Sequence, residues 1–125
     1  MAYSQTLNLV TGDTLPELTF TLKDSNTAAS GQTLDANNSA TWAPINVTGA
    51  TVRLRLRELG STSVKSTLVC VVAGDGTTGE VTTDFPPGTL DTAGTFEGEI
   101  EITFSGDGVQ TVYDLIKFKV RSDFD

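Results

Sequence analysis

Most acid–base and nucleophilic chemistry at neutral pH draws on histidine, and this chain of 125 residues contains none. A Ser-His-Asp or Cys-His arrangement therefore cannot be assembled. The single cysteine, Cys70, stands in the apolar run Leu68-Val69-Cys70-Val71-Val72. It reads as a small core residue rather than a nucleophile. One cysteine also excludes an intrachain disulfide and a thiolate zinc site. No Gly-Lys-Ser/Thr phosphate loop and no dinucleotide fingerprint occurs. Glycosidases work with a pair of carboxylates, and here the candidates are Asp84 or Asp91 with Glu97. Nothing beyond acidity marks them. Asp35, Asp75 and Asp107 sit in loops that would suit a hard cation, but the Asp-x-Asp-x-Asp-Gly spacing is missing and ordinary turn chemistry accounts for them. The sequence thus predicts no catalysis, no cofactor and no metal.

Two further groups invite a binding role. Arg53, Arg55 and Arg57 alternate along one strand face and would suit a phosphate or a sugar acid. The same chain supplies Glu97, Glu99 and Glu101 to neutralise them, so a structural ladder is the preferred reading. Trp42, the only tryptophan, sits in a polar stretch, where an exposed ring stacks on a sugar or anchors a partner. Packing of the ring over the open end of the fold is the competing reading. A formal charge of −8 and a pI of about 4.3 oppose nucleic-acid binding and adhesion to anionic membranes, which both reward cationic surfaces. The start, Met1-Ala2-Tyr3-Ser4-Gln5, has neither the basic nor the apolar character of a leader, and no run is long and apolar enough to span a membrane.

The elements that must position these residues read as strands. Apolar residues make up 38% of the chain, enough for one core in one domain spanning 1–125, with Thr, Ser, Gly, Asp and Asn filling the rest. Alternation or short apolar runs mark strands at 5–10, 18–22, 52–57, 67–73, 79–84, 95–104 and 111–120. The run at 67–73 suggests a strand covered on both faces, and 79–84 an edge-like segment. Gly74-Asp75-Gly76 and Gly106-Asp107-Gly108 supply turns. Residues 24–43 read as a long exposed loop, followed by a short extended piece at 45–47. Seven strands at this spacing predict an all-β, immunoglobulin-like sandwich of antiparallel strands. Its third, sixth and seventh strands would be C, F and G of one sheet, with F in the middle. That order sets the acidic row Glu97, Glu99, Glu101 between Arg53, Arg55, Arg57 and the basic row Lys117, Lys119, Arg121. Asp114 breaks the alternation of the last strand, which a bulge would reconcile.

Three blocks carry a resemblance. The first is Gly12-Asp13-Thr14-Leu15-Pro16-Glu17-Leu18-Thr19-Phe20-Thr21-Leu22. The second is Pro44-Ile45-Asn46-Val47-Thr48-Gly49-Ala50-Thr51-Val52-Arg53-Leu54-Arg55-Leu56-Arg57. The third is Asp91-Thr92-Ala93-Gly94-Thr95-Phe96-Glu97-Gly98-Glu99, preceded by Thr78-Gly79-Glu80-Val81-Thr82. In order and spacing they resemble the N-terminal domain of the phage baseplate upper protein family, over roughly 12–120. The segment 24–43 is longer than the turn expected there. The resemblance implies an immunoglobulin-like domain used in a virion. The expected function is a non-enzymatic structural protein, a tail or baseplate adaptor or attached surface subunit. A capsid cement or head-decoration protein is the alternative, and a host-surface carbohydrate-binding module resting on Trp42 is the second. Expected partners are other virion proteins and further copies of the chain, as a trimer or ring on grounds of virion symmetry, with a host glycan under the second alternative.

Overall fold

Strict alternation in Val52-Arg53-Leu54-Arg55-Leu56-Arg57 leaves no choice of face: the three apolar residues go inward and the arginines outward. The same rule organises the whole molecule, seen in a computed structural model that describes residues 3–15 and 17–124. Pro16, part of the first family-like block, lies outside the described residues. Ten strands follow one another: β1 (Tyr3–Val10), β2 (Leu18–Thr21), β3 (Lys23–Ala28), β4 (Trp42–Pro44) and β5 (Thr51–Glu58). Then come β6 (Ser66–Val72), β7 (Glu80–Thr83), β8 (Gly94–Thr103), β9 (Val109–Thr111) and β10 (Leu115–Arg121). A single 3-10 turn, Ser39–Thr41, is the only helical piece among the described residues. None of them forms a helix long and apolar enough to cross a membrane.

The fold is all-β and built on one curled, mixed sheet in the order β1-β10-β8-β5-β6-β7-β2, with β9 beside β8. The curl is made at β6. Its residues from Ser66 to Cys70 pair with β5, and Val71 and Val72 pair with β7. Leu18 and Phe20 of β2 and Val81 of β7 are thereby brought into one buried cluster with Val52, Leu54, Leu56, Phe96, Ile100, Ile102, Ile116, Phe118 and Val120. Phe85 and Phe118 meet edge to face at 6.4 Å between ring centres, the arrangement their quadrupoles favour.

Several expectations change. Not every neighbour is antiparallel: β1 runs parallel to β10, from Tyr3 opposite Leu115 to Val10 opposite Arg121. Alternation fixes which face a strand buries but carries no information on its direction. β7 is flanked by β6 and β2 and is not an edge; β1 and β2 end the series. β6 is not covered on both faces, since Val69 and Val71 are 67% and 65% exposed. The segment 24–43 is not one loop. β3 and β4 form a separate two-stranded sheet, in which Lys23 faces Pro44 and Asp24 faces Ala43. Finally, the last strand is split. Between Glu101 and Gly98 β8 advances three steps, while the facing chain advances five, from Thr111 to Ile116. Two residues are therefore looped out around Tyr113 and Asp114. An even number keeps Ile116, Phe118 and Val120 on the core side, which is why the bulge expected at Asp114 does no harm to the alternation.

Candidate functional site

The outer face of β10, β8, β5 and β6 gathers most of the residues singled out above. β8 is the middle strand of three, with β10 on one side and β5 on the other. In register, Arg53 faces Glu101, Arg55 faces Glu99 and Arg57 faces Glu97. On the other side Lys117 faces Glu97, whereas Lys119 faces Thr95 rather than a glutamate. Arg121 turns away to the chain end, its guanidinium 5.3 Å from the centre of the Phe124 ring.

The bonds that form do not all follow the register. Arg57 Nη2 donates to Glu97 Oε1 at 3.3 Å, straight across. Arg55 Nη2 donates to Glu101 Oε1 at 3.0 Å, a diagonal pair. Long guanidinium arms reach the diagonal neighbour as easily as the facing one. Glu97 is buried although it lies on the outward row. The turn after β5 folds over that end: Leu59 N donates to Thr95 O at 2.9 Å and Lys65 N to Leu56 O at 2.7 Å. Thr62 and Val64 then share with Arg57, Glu97 and Leu115 the lining of a small cavity of about 110 Å³. Lys65 Nζ also donates to Asp91 Oδ1 at 2.6 Å, and this bond holds the Asp91 carboxyl below the usual carboxylate range, helped by Thr92. The sequence reading did not pair Lys65 with Asp91. Nothing in their spacing of 26 residues signals it.

Asp84 is exposed, Asp91 is held by Lys65 and Glu97 by Arg57. The loop aspartates serve their own turns. Asp75 Oδ1 accepts from Thr77 N at 3.0 Å and Thr77 Oγ1 at 2.7 Å, which lowers its pKa. Asp35 Oδ1 accepts from Asn37 N at 2.9 Å. Asp107 takes a left-handed backbone, φ 69°. Among the described residues, no three of His, Cys, Asp or Glu cluster closely enough to hold a metal. Cys70 is buried, and burial pushes its thiol up to about 11, so it stays protonated and unreactive at neutral pH.

Trp42 is not displayed. It is 3% exposed, and its indole N–H is spent on Asp35 O at 2.9 Å. Beside Trp42, a cleft of about 300 Å³ runs along β2, lined by Thr19, Thr21, Lys23, Gln5, Ile116 and Asp114 among others. Asp114 Oδ1 is buried there without a hydrogen-bond partner, and loss of water raises its pKa. Compared with models of known families and with curated proteins, the chain matches none.

Proposed function

We propose that the chain is a non-enzymatic structural subunit of a bacteriophage particle, acting as a tail or baseplate adaptor through an immunoglobulin-like sandwich. The observation that carries the reading is the likeness of three sequence blocks to the baseplate upper protein family. Their placement supports it. The block ending at Arg57 forms β5 and the block ending at Glu99 opens β8, and these strands pair directly, Arg57 with Glu97 and Arg55 with Glu99. Blocks far apart in the chain are thus one patch of sheet. The order β10-β8-β5, with an acidic strand between two basic ones, supports the G-F-C arrangement of such a sandwich. Other virion proteins, and further copies of the chain, are the partners this role requires.

Antibody labelling of purified particles of the encoding phage, with mass spectrometry of the same particles, tests the proposal. Label at the tail tip and peptides of the chain in intact virions are expected. Label spread over the head would move the assignment to capsid decoration. Virions lacking the chain altogether would end it. The carbohydrate-binding alternative rested on a displayed Trp42 ring and has lost that basis.

A further inference from the structure

The main sheet ends at β2, whose second edge is open. Leu22 N donates to Gly79 O at 2.8 Å, and the same register sets Phe20 opposite Val81 and Leu18 opposite Thr83. Along a strand of an antiparallel ladder, main-chain groups point to alternate sides at successive residues. Leu18, Phe20 and Leu22 therefore direct theirs at β7, while Thr19 and Thr21 direct N–H and C=O the other way. Among the described residues no strand pairs with β2 on that side. Thr19 and Thr21 are exposed, and the cleft of about 300 Å³ runs beside them. An edge with unpaired main-chain groups is a template for a further strand.

The side chains along this edge say which strand it takes. Leu18, Phe20 and Leu22 form the buried row, and Glu17, Thr19, Thr21 and Lys23 form the other. Among the described residues neither Glu17 nor Lys23 makes an ion pair, and Lys23 Nζ reaches only Ser39 O, at 3.5 Å. A second β2 can be laid antiparallel about a two-fold axis normal to the sheet, with Phe20 opposite the partner's Phe20. Thr21 then stands opposite the partner's Thr19, Leu22 opposite the partner's Leu18 and Lys23 opposite the partner's Glu17, and the axis repeats each pairing. Apolar residues meet apolar ones, each lysine meets a glutamate, and no like charges stand opposed. A slip of one residue would set the buried row against the outer one, and a slip of two takes Lys23 off the partner's Glu17. β1, at the other end of the series, has no charged residue to fix a register.

We propose that β2 pairs edge to edge with β2 of a second copy, Thr21 exchanging main-chain hydrogen bonds with the partner's Thr19 and Lys23 pairing with the partner's Glu17. The proposal concerns the chain's own edge and holds or fails independently of the virion assignment.

Light scattering on the purified full chain, from micromolar to millimolar, reads the outcome. Salt of about 0.15 M, with a Debye length of ~8 Å, screens the −8 charge that each copy carries. The mass is expected to rise with concentration to twice 13.2 kDa, and amide exchange at Thr19 and Thr21 to slow in step. Thr21→Pro deletes an N–H that bonds nothing among the described residues, so the variant should melt near wild type yet stay monomeric. Lys23→Glu and Glu17→Lys each set like charges opposite one another twice, and each is expected to weaken pairing about 10-fold. Mixed together, these two variants should pair with the wild-type affinity, because both contacts then join opposite charges. A monomer at every concentration would overturn the proposal. So would a trimer, a dimer whose Thr19 and Thr21 amides exchange as freely as in the monomer, or a mixture of the two charge variants that pairs no better than either alone.

Discussion

A methyl group built on Gly98 would lie 2.6 Å from Phe118 Cε2 and 3.0 Å from Leu54 Cδ1, well inside contact distance. Neither neighbour has room to retreat, since both are fully buried in the central cluster. Gly98 is thus the gap in β8 over which the Phe118 ring lies. Gly98→Ala is expected to cost about 1–3 kcal/mol, the usual penalty of overpacking. A lower urea midpoint with an unchanged slope would register it; an unchanged midpoint would mean that the ring moves aside freely. Asp114 makes the opposite kind of error. Its Oδ1 is buried without a partner, and burial raises its pKa above the ordinary 3.8. Below that ordinary value the carboxyl is neutral in folded and unfolded chains alike, and it costs nothing. As pH rises, the unfolded chain ionises first, and stability falls until pH passes the raised folded value. Asp114→Asn should therefore stabilise the protein at pH 7 by on the order of 1 kcal/mol, a modest figure because the rest of the side chain still reaches solvent. The gain should vanish in acid. Equal gains at both ends of a pH series of denaturant titrations would show that charge is not the cause.

The β3–β4 sheet depends on a small number of contacts. Leu22 N donates to Gly79 O and Ile45 N to Leu22 O, both at 2.8 Å, so the two feet of the excursion share one anchor. Gly79 can serve because its φ is +76° and because a Cβ added to it would lie 2.8 Å from both Ile45 O and Leu22 O, which excludes any side chain. Beyond the feet, Trp42 is the buried residue that holds the sheet down, and it lies outside the central cluster. Trp42→Ala should free this element alone. Amide exchange is expected to quicken across 23–44 while β5 and β8 stay protected, at less than the ~3–5 kcal/mol of a truncation in a main core. Faster exchange throughout would show that the sheet is part of the cooperative unit. The same contacts explain what the sequence could reveal. β5 and β8 were legible because each alternates over a full strand, and with them the sides on which arginines and glutamates lie. β3 was not, because Lys23-Asp24-Ser25-Asn26-Thr27-Ala28 buries nothing and so has no apolar row to betray it. β6 misled in the other direction: hydrophobic content does not say whether a face is covered, and Val69 and Val71 are open. The choice of Glu101 over Glu99 as partner of Arg55 depends on side-chain reach, which no pattern of residue types encodes.

Over the whole molecule, attraction within the ladder competes with repulsion from an excess of acidic groups, 16 against 8 basic ones. The three described ion pairs each have at least one partner open to water, with side-chain exposures of 38%, 44% and 56%. Pairs of this kind contribute about 0–1 kcal/mol each and are screened by salt. The repulsion acts across a body whose radius of gyration is about 14 Å, within the Debye length of ~30 Å at 0.01 M salt. Unfolding relieves that repulsion by spreading the charges, so at low ionic strength it works against the fold. Raising salt to about 1 M shortens the Debye length to ~3 Å and removes the long-range repulsion along with the weak pairs. The repulsive part is larger, because the net charge of −8 has no counterpart elsewhere in the chain. At pH 7 and fixed protein concentration the melting temperature is therefore expected to rise by several degrees over this range. Near the pI of about 4.3 the net charge disappears, and the same addition should leave the melting temperature flat or lower it slightly. Calorimetric scans at the two pH values separate the contributions. A fall on adding salt at pH 7 would rank the ladder's attraction above the global repulsion and make Glu97, its most deeply buried carboxylate, the group whose loss unfolds the sheet first.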